Sequence, residues 1–262
     1  MSPKLHGFWL KQFKINGEYL PIAVEPHEFE AKVRALSAAS FAGFNVTVPH
    51  KEAAFNLVDE TTATAQQIGA VNTVICHKNG YLVGDNTDAF GFMSNIVTEI
   101  PSWKPDTAPA VILGAGGAAR AVVSALIDAG VPEIRICNRT RERAEDLANH
   151  FGKLKVVNWD ARDQACDGAG LLVNTTTLGM TGKPPLEINI ERLQKTGIVN
   201  DIVYVPLKTD LLKQAKTHGY QTVDGLGMLL HQARPGFEAW FGQRPEVTSD
   251  LRSHILESLD EV

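Results

Sequence analysis

The 262-residue sequence is short of several things, and each shortage closes off a class of protein. No stretch approaches the roughly 18 consecutive apolar residues that suggest a membrane-spanning helix. The amino-terminal MSPKLHGFWLKQFK sets only a brief apolar run, residues 8–10, among charges, so no secretory signal is expected. Basic residues do not predominate. The 25 Lys and Arg stand against 30 Asp and Glu, a formal net charge of -5, and no nucleic-acid footprint is expected. Cysteine is scarce: Cys76, Cys137 and Cys166 are odd in number, widely spaced and without metal-ligand spacing. That pattern fits reduced thiols in a cytoplasmic protein. Internal repeats and low-complexity tracts are absent. What is there is an ordinary globular composition, 44% apolar, in a chain long enough for one large domain or two smaller ones.

The two halves read differently. Ser2-Pro3 opens a helix through about Lys14, and Asn16-Gly17 turns the chain. Residues 19–24 read as a strand, 26–36 as a helix and 44–48 as a strand, a β-α-β unit that implies parallel pairing. Residues 71–76 and 81–83 read as a hairpin with an Asn79-Gly80 turn. From Ala110 strands and helices alternate strictly (AVILG, AARAVVSALIDAG, IRICN, RERAEDLANHFG, LKVVN, AGLLVNTT, GIVNDIVY, TDLLKQAKTHG, YQTVDG), which predicts a doubly wound parallel sheet. Two helices close the chain.

The stretch VILGAGGAARA places Gly114, Ala115, Gly116, Gly117 and Ala118 between a strand and a helix, where backbone N–H groups can approach a pyrophosphate. The next strand ends CNRTRER. An acid there would accept from a ribose 2′-hydroxyl, but the position carries Asn138, followed by Arg139, Thr140, Arg141 and Arg143. Guanidinium groups suit a 2′-phosphate, so NADP is expected rather than NAD.

In GFNVTVPHKE, residues 43–52, apolar and polar residues alternate until Pro49, which cannot donate to a ladder. Lys51 therefore falls just past a strand end, where ligands bind in open α/β sheets. His50 is read as opening the following helix and His231 as packing. With IGAVNT, GDNTDAFGF, NRT, NTTTLGM, DIVYVPLKT and DGLGMLLHQA in this order, the whole chain resembles the shikimate dehydrogenase family.

The resemblance implies an N-terminal α/β substrate domain, residues 1–87 with 225–262, and a Rossmann-type NADP-binding domain, residues 88–224. It implies reversible, NADP-dependent reduction of 3-dehydroshikimate to shikimate on the way to chorismate and aromatic amino acids. The small-molecule substrate is the expected partner, with no nucleic acid and no membrane, in a monomer or homodimer. Lys51 is the implied acid/base group and Asp88 its carboxylate partner. Thr47, Asn72, Asp88 and Gln232 would hold ring hydroxyls, Ser2 the carboxylate, and Tyr204 and Gly225 would flank substrate and nicotinamide. Asn174, Thr175 and Met228 would line the dinucleotide side.

One departure stands out. Family members begin with a strand reading roughly V-I-G-x-P-x-x-H-S-x-S-P. Here Ser2 matches only the second serine of that pattern. Loss of the strand would leave ladder groups unpaired on both neighbours and a gap in the core. A start assigned too late is the favoured expectation, beside a repurposed paralogue and a local rearrangement. A quinate-using member, or an NADP-binding protein that has lost its chemistry, are the alternative functions.

Overall fold

The computed structural model describes residues 1–260. It divides into two compact units, Met1–Gly91 with the segment from Leu230 onward, and Phe92–Leu229. The divisions fall inside two helices, a few residues beyond the sequence boundaries at 87/88 and 224/225, because each helix begins in one unit and continues into the other.

The first unit opens with helix α1 (Ser2–Gln12), which follows Met1 as its N-cap and carries Pro3 in its first turn. Leu5, His6, Trp9 and Leu10 repeat at helical spacing and bury one face. A 3-10 turn (Pro26–Glu28) leads into α2 (Phe29–Ala38), and then follow β1 (Gly43–Asn45), α3 (Lys51–Leu57), β2 (Glu60–Thr61), α4 (Ala63–Ile68), β3 (Thr73–Cys76), β4 (Leu82–Asp85) and α5 (Asp88–Glu99). The four strands form one sheet in the order β1-β3-β4-β2. The β3–β4 hairpin is as expected, closed by Gly80 at φ +83° and by the Asn79 side-chain oxygen accepting from the Tyr81 N–H.

The expected β-α-β unit is not there. Residues 19–24 belong to no ladder, and β1 pairs with β3 antiparallel, Gly43 opposite Ile75 and Asn45 opposite Thr73. Alternating apolar residues suit a strand, but only a partner edge makes one, and β3 is the strand bonded to β1. The strand also ends at Asn45, short of Val48. Residues 18–20, 22–25 and 43–50 line a cavity of about 340 Å³ with Phe29, Val33 and Leu36, and among its lining Leu20, Ile22 and Val48 are exposed. Behind the sheet, Val33, Val46, Ala54, Val71, Val74 and Leu82 form the core.

The second unit is the doubly wound sheet. Strand β5 (Ala110–Leu113) is followed by α6 (Gly117–Asp128), β6 (Ile134–Asn138), α7 (Arg141–Phe151), β7 (Leu154–Asn158), α8 (Arg162–Ala165), β8 (Leu171–Asn174), β9 (Ile198–Asp201), α9 (Asp210–Thr217), β10 (Gln221–Val223) and α10 (Gly225–Phe241). The order is β10-β9-β8-β5-β6-β7 and every ladder is parallel. This is the dinucleotide-binding arrangement, with the order reversing at β5. Residues of β5, β8 and β9 are buried on both faces, which is why they read as unbroken apolar runs. Val111, Leu113, Leu172, Val199 and Leu211 share one core, and each such buried side chain contributes about 1.5–3 kcal/mol. Helix α11 (Ser249–Asp260) follows in the first unit. Cys137 and Cys166 are buried, Cys76 is half-buried, and all three are free thiols. Among the described residues no helix is long and apolar enough to cross a membrane.

Candidate active site

Lys51 is the first residue of α3, delivered there by the turn at Pro49. Its ammonium pairs with the Asp88 carboxylate, and the two side chains are only 15% and 9% exposed. Asp88 opens α5, where the helix dipole favours its negative charge. The other Asp88 oxygen accepts from the Asn72 amide at 2.7 Å. The Asn72 side-chain oxygen accepts from the Thr87 N–H and the Thr73 hydroxyl, both at 2.9 Å. Asn86 accepts from the Asp88 N–H at 3.1 Å and donates to the Ala70 carbonyl at 2.9 Å. Three segments distant in sequence thus converge on one lysine–carboxylate pair whose partners hold both side chains in place before any ligand arrives.

The remaining residues expected around the substrate lie at varying removes. Ser2, half-buried in α1, hydrogen-bonds the Tyr19 hydroxyl. Thr47 is exposed on the turn after β1, and its carbonyl accepts from the His50 N–H at 2.9 Å. Gln232 is half-buried in the part of α10 that belongs to the first unit. Tyr204 is half-buried in the second unit after β9, and burial raises its phenol above the ordinary value. His50 is bound to the Val24 carbonyl at 2.8 Å and stacked on Phe29, a structural role. His231 is buried and held neutral, pushed down to about 4 by desolvation and then by Arg234.

In the second unit the glycine-rich turn joins β5 to α6. Gly114 has φ +107°, and a Cβ there would meet Thr175 Oγ1 at 2.6 Å, so only glycine fits. At Gly116 a Cβ would meet nothing within 4 Å, so the backbone faces open space. Gly117 and Ala118 begin α6, which has no side-chain cap and no acid in its first turn. An uncapped helix N-terminus behind an open backbone suits a phosphate. The Thr175 hydroxyl donates to the Leu113 carbonyl at 2.7 Å, tying the end of β8 to this turn. The Gly114 N–H donates to the Cys137 carbonyl at 2.8 Å, bringing in the end of β6. There Asn138 donates to the Thr140 carbonyl at 2.7 Å, while Arg139 and Arg143 stand exposed with no ion pair among the described residues. Arg141 is the engaged one, paired with Glu145 and Asn158. These residues fit a dinucleotide with a phosphorylated ribose. Met228 is buried in α10, and Gly225 lets that helix start within 2.2 Å, measured from a hypothetical Cβ, of the Ile202 carbonyl.

Asn174 has its side chain bonded within the fold. It is fully buried, donates to Asp201 and the Leu178 carbonyl, and accepts from the Thr176 N–H and hydroxyl. Asp201 escaped the sequence reading although it opens the stretch DIVYVPLKT. The first and last residues of that stretch bond each other, Thr209 Oγ1 donating to Asp201 Oδ2 at 2.7 Å. Burial pushes this carboxyl up to about 6 against the pull of Thr209, Val203 and Asn174. Tyr19, Asn45 and Thr73 were missed as well. The signal for Asn45 and Thr73 lay in the strand register, which sets one opposite the other.

A parallel sheet in this order with an open glycine-rich turn, in a chain that also carries a buried lysine–carboxylate pair, defines a two-unit dinucleotide-dependent α/β oxidoreductase. Residues 1–74 match the shikimate dehydrogenase substrate binding domain, residues 98–177 the shikimate / quinate 5-dehydrogenase model, and residues 225–249 the shikimate 5'-dehydrogenase C-terminal domain. A shikimate dehydrogenase (NADP(+)) of Paramagnetospirillum magneticum is 58% identical over 256 residues, 97% of this chain and 93% of that protein. Shikimate 5-dehydrogenase from Thermus thermophilus, solved with NADP(H) and shikimate, superposes with a TM-score of 0.85 at 35% identity, covering 99% of this chain and 94% of that one. Quinate dehydrogenase from Corynebacterium glutamicum, solved with NAD, gives 0.88 at 31% identity over 98% and 94% of the two chains. The chain belongs to the shikimate dehydrogenase family.

Proposed function

We propose that this chain is an enzyme that interconverts 3-dehydroshikimate and shikimate with NADP(H), in the pathway to chorismate and aromatic amino acids. The observation that carries the reading is the Lys51–Asp88–Asn72 cluster. Reduction of a ring ketone needs a proton delivered to oxygen, and oxidation of the alcohol needs it removed. Lys51 is the only one of the three that carries a proton to give, and Asp88 fixes where its ammonium points. Asn72 and Asp88 offer a donor and an acceptor to neighbouring ring hydroxyls, Thr47 and Gln232 offer more, and Ser2 serves the carboxylate. Holding the ring by several hydrogen bonds supplies the positioning that lowers the barrier. NADP, when bound, supplies or accepts the hydride. Gly114, Ala115, Gly116, Gly117 and Ala118 would hold its pyrophosphate, and Asn138, Arg139, Thr140 and Arg143 its phosphorylated ribose. Thr175, Gly225, Met228 and Tyr204 complete the dinucleotide and nicotinamide side, and Asn174 acts there by shaping the turn after β8.

The enzyme would act in the cytoplasm as a monomer or homodimer. The test follows nicotinamide absorbance with shikimate and NADP⁺, with quinate and NAD⁺ as controls. Rapid oxidation of shikimate that depends on NADP⁺ is expected. Turnover of quinate with NAD⁺ in its place would overturn the assignment.

A further inference from the structure

A hydrogen-bonded chain leads away from the Lys51–Asp88 pair. Asn72 donates to Asp88 at 2.7 Å and accepts from the Thr73 hydroxyl at 2.9 Å. Thr73 Oγ1 accepts from the Asn45 amide at 3.1 Å, and the same amide donates to the Asn72 backbone carbonyl at 3.2 Å. Asn45 Oδ1 accepts from the Tyr19 hydroxyl at 2.7 Å. The Tyr19 oxygen is bonded in turn by Ser2, the residue assigned to the substrate carboxylate.

The direction of the links through the two asparagines is fixed. The Asn72 carbonyl can only accept, so the Asn45 NH₂ must face it, and the Asn45 oxygen must face Tyr19. Thr73, accepting from Asn45, has its proton for the Asn72 side-chain oxygen at 2.9 Å, nearer than the Thr87 hydroxyl at 3.3 Å. Asn72 then has its NH₂ toward the Asp88 carboxylate. From the phenol to Asp88 all donors point the same way, and aligned chains of this kind strengthen one another. The Tyr19 ring is itself locked, stacked face to face on His6 with centroids 4.1 Å apart.

We propose that Tyr19 is a positioning residue for the substrate pocket, its hydroxyl acting with the Asn72 backbone carbonyl to hold Asn45 and, through Thr73, acting with the Thr87 N–H to hold Asn72 against Asp88, so that the carboxylate end and the hydroxyl end of the substrate site are held by one network. The inference rests on the functional reading above. Tyr19 does not bond Lys51, and it reaches Asn72 and Asp88 through Asn45.

The test compares wild type, Tyr19→Phe, Thr73→Val and the double variant as full chains. Tyr19→Phe keeps the ring and its stack on His6. It is expected to lower kcat/KM for shikimate about tenfold, chiefly through KM, with KM for NADP⁺ unchanged, about the effect of one lost hydrogen bond. In the Thr73→Val background, where the chain to Asn72 is already cut, the same substitution should cost clearly less, only what passes through Ser2 remaining. The Asn72 side-chain amide resonances, read by ¹⁵N NMR on the free protein, should move in Tyr19→Phe. Additive losses in the double variant, or an unmoved Asn72 amide, overturn the proposal. The amide reading needs no turnover, so a wild type inactive with shikimate would sink the functional assignment and still leave Tyr19 decided.

Discussion

His6 sits in an aromatic box with no exposed surface, stacked on Tyr19 and edge-on to Trp9, and neither ring nitrogen has a partner. Desolvation pushes its pKa from 6.5 down to about 3. The unfolded chain therefore binds a proton at His6 from about pH 6.5 downward, while the folded chain refuses it until about pH 3. Stability is lost as pH falls through that window. Between about pH 8 and about pH 5 the loss from this residue is roughly 2 kcal/mol. With an m-value of about 2 kcal/mol per molar urea, that is a shift of about 1 M in the urea midpoint. His6→Phe keeps a flat ring in the box and removes the titration. The assay is urea unfolding at both pH values, in a background with Trp103 and Trp159 changed to Phe, so that emission reports Trp9 and Trp240 beside the box. His231 titrates in both chains and cancels, as does Asp201. The variant should lose about 1 M less in midpoint on acidification than the parent. Parallel losses would show that His6 is not the group refusing the proton, and the argument from its burial would be wrong.

Lys51→Met, which keeps the length but not the proton, should lower kcat by about 10²–10⁴-fold with NADP⁺ affinity intact, measured by steady-state kinetics and nucleotide titration. Arg139→Ala should weaken NADP⁺ at least about tenfold and leave NAD⁺ unchanged, and equal losses for both would remove Arg139 from the 2′-phosphate site. Gly114→Ala, with a Cβ driven onto Thr175 at positive φ, should cost about 2 kcal/mol or more in unfolding free energy and weaken NADP⁺. The Asp201 carboxyl, raised from 3.8 to about 6, favours the fold below about pH 3.8, and that favour is lost as pH rises through about 6. Asp201→Asn should therefore gain about 3 kcal/mol relative to wild type between about pH 3.5 and about pH 7.5, and a constant difference across that range would refute the assignment.

The second unit was legible because its evidence is local. A strand buried on both faces, such as residues 110–113, is an apolar run whatever its neighbours, and glycine ends the helices that follow. Residues 19–24 failed for the opposite reason: they alternate like a strand, but the ladder that would make them one is a property of distant residues. Strand β2, two residues beside β4, is too short to leave a pattern. In the site, Lys51, Asn72 and Asp88 were found through motifs, whereas their supporting cast was not. Asn45 and Thr73 meet because of the antiparallel register of β1 on β3, and the sequence reading had made that strand parallel to another. Asn174 was placed on the dinucleotide side by the resemblance, and in the structure its side chain spends its bonds inside the fold.

The thiols carry a consequence for anyone who wishes to label this protein. Burial pushes Cys137 and Cys166 up to about 12 and Cys76 up to about 11. At about pH 7 only about one molecule in 10⁴ to 10⁵ presents a thiolate at any of them, and the thiolate is the species that alkylates and oxidises. The natural chain is thus a quiet background. A cysteine introduced at an exposed position would outpace the native three by orders of magnitude, so that a single fluorophore or spin label can be placed in either unit without first removing any of them.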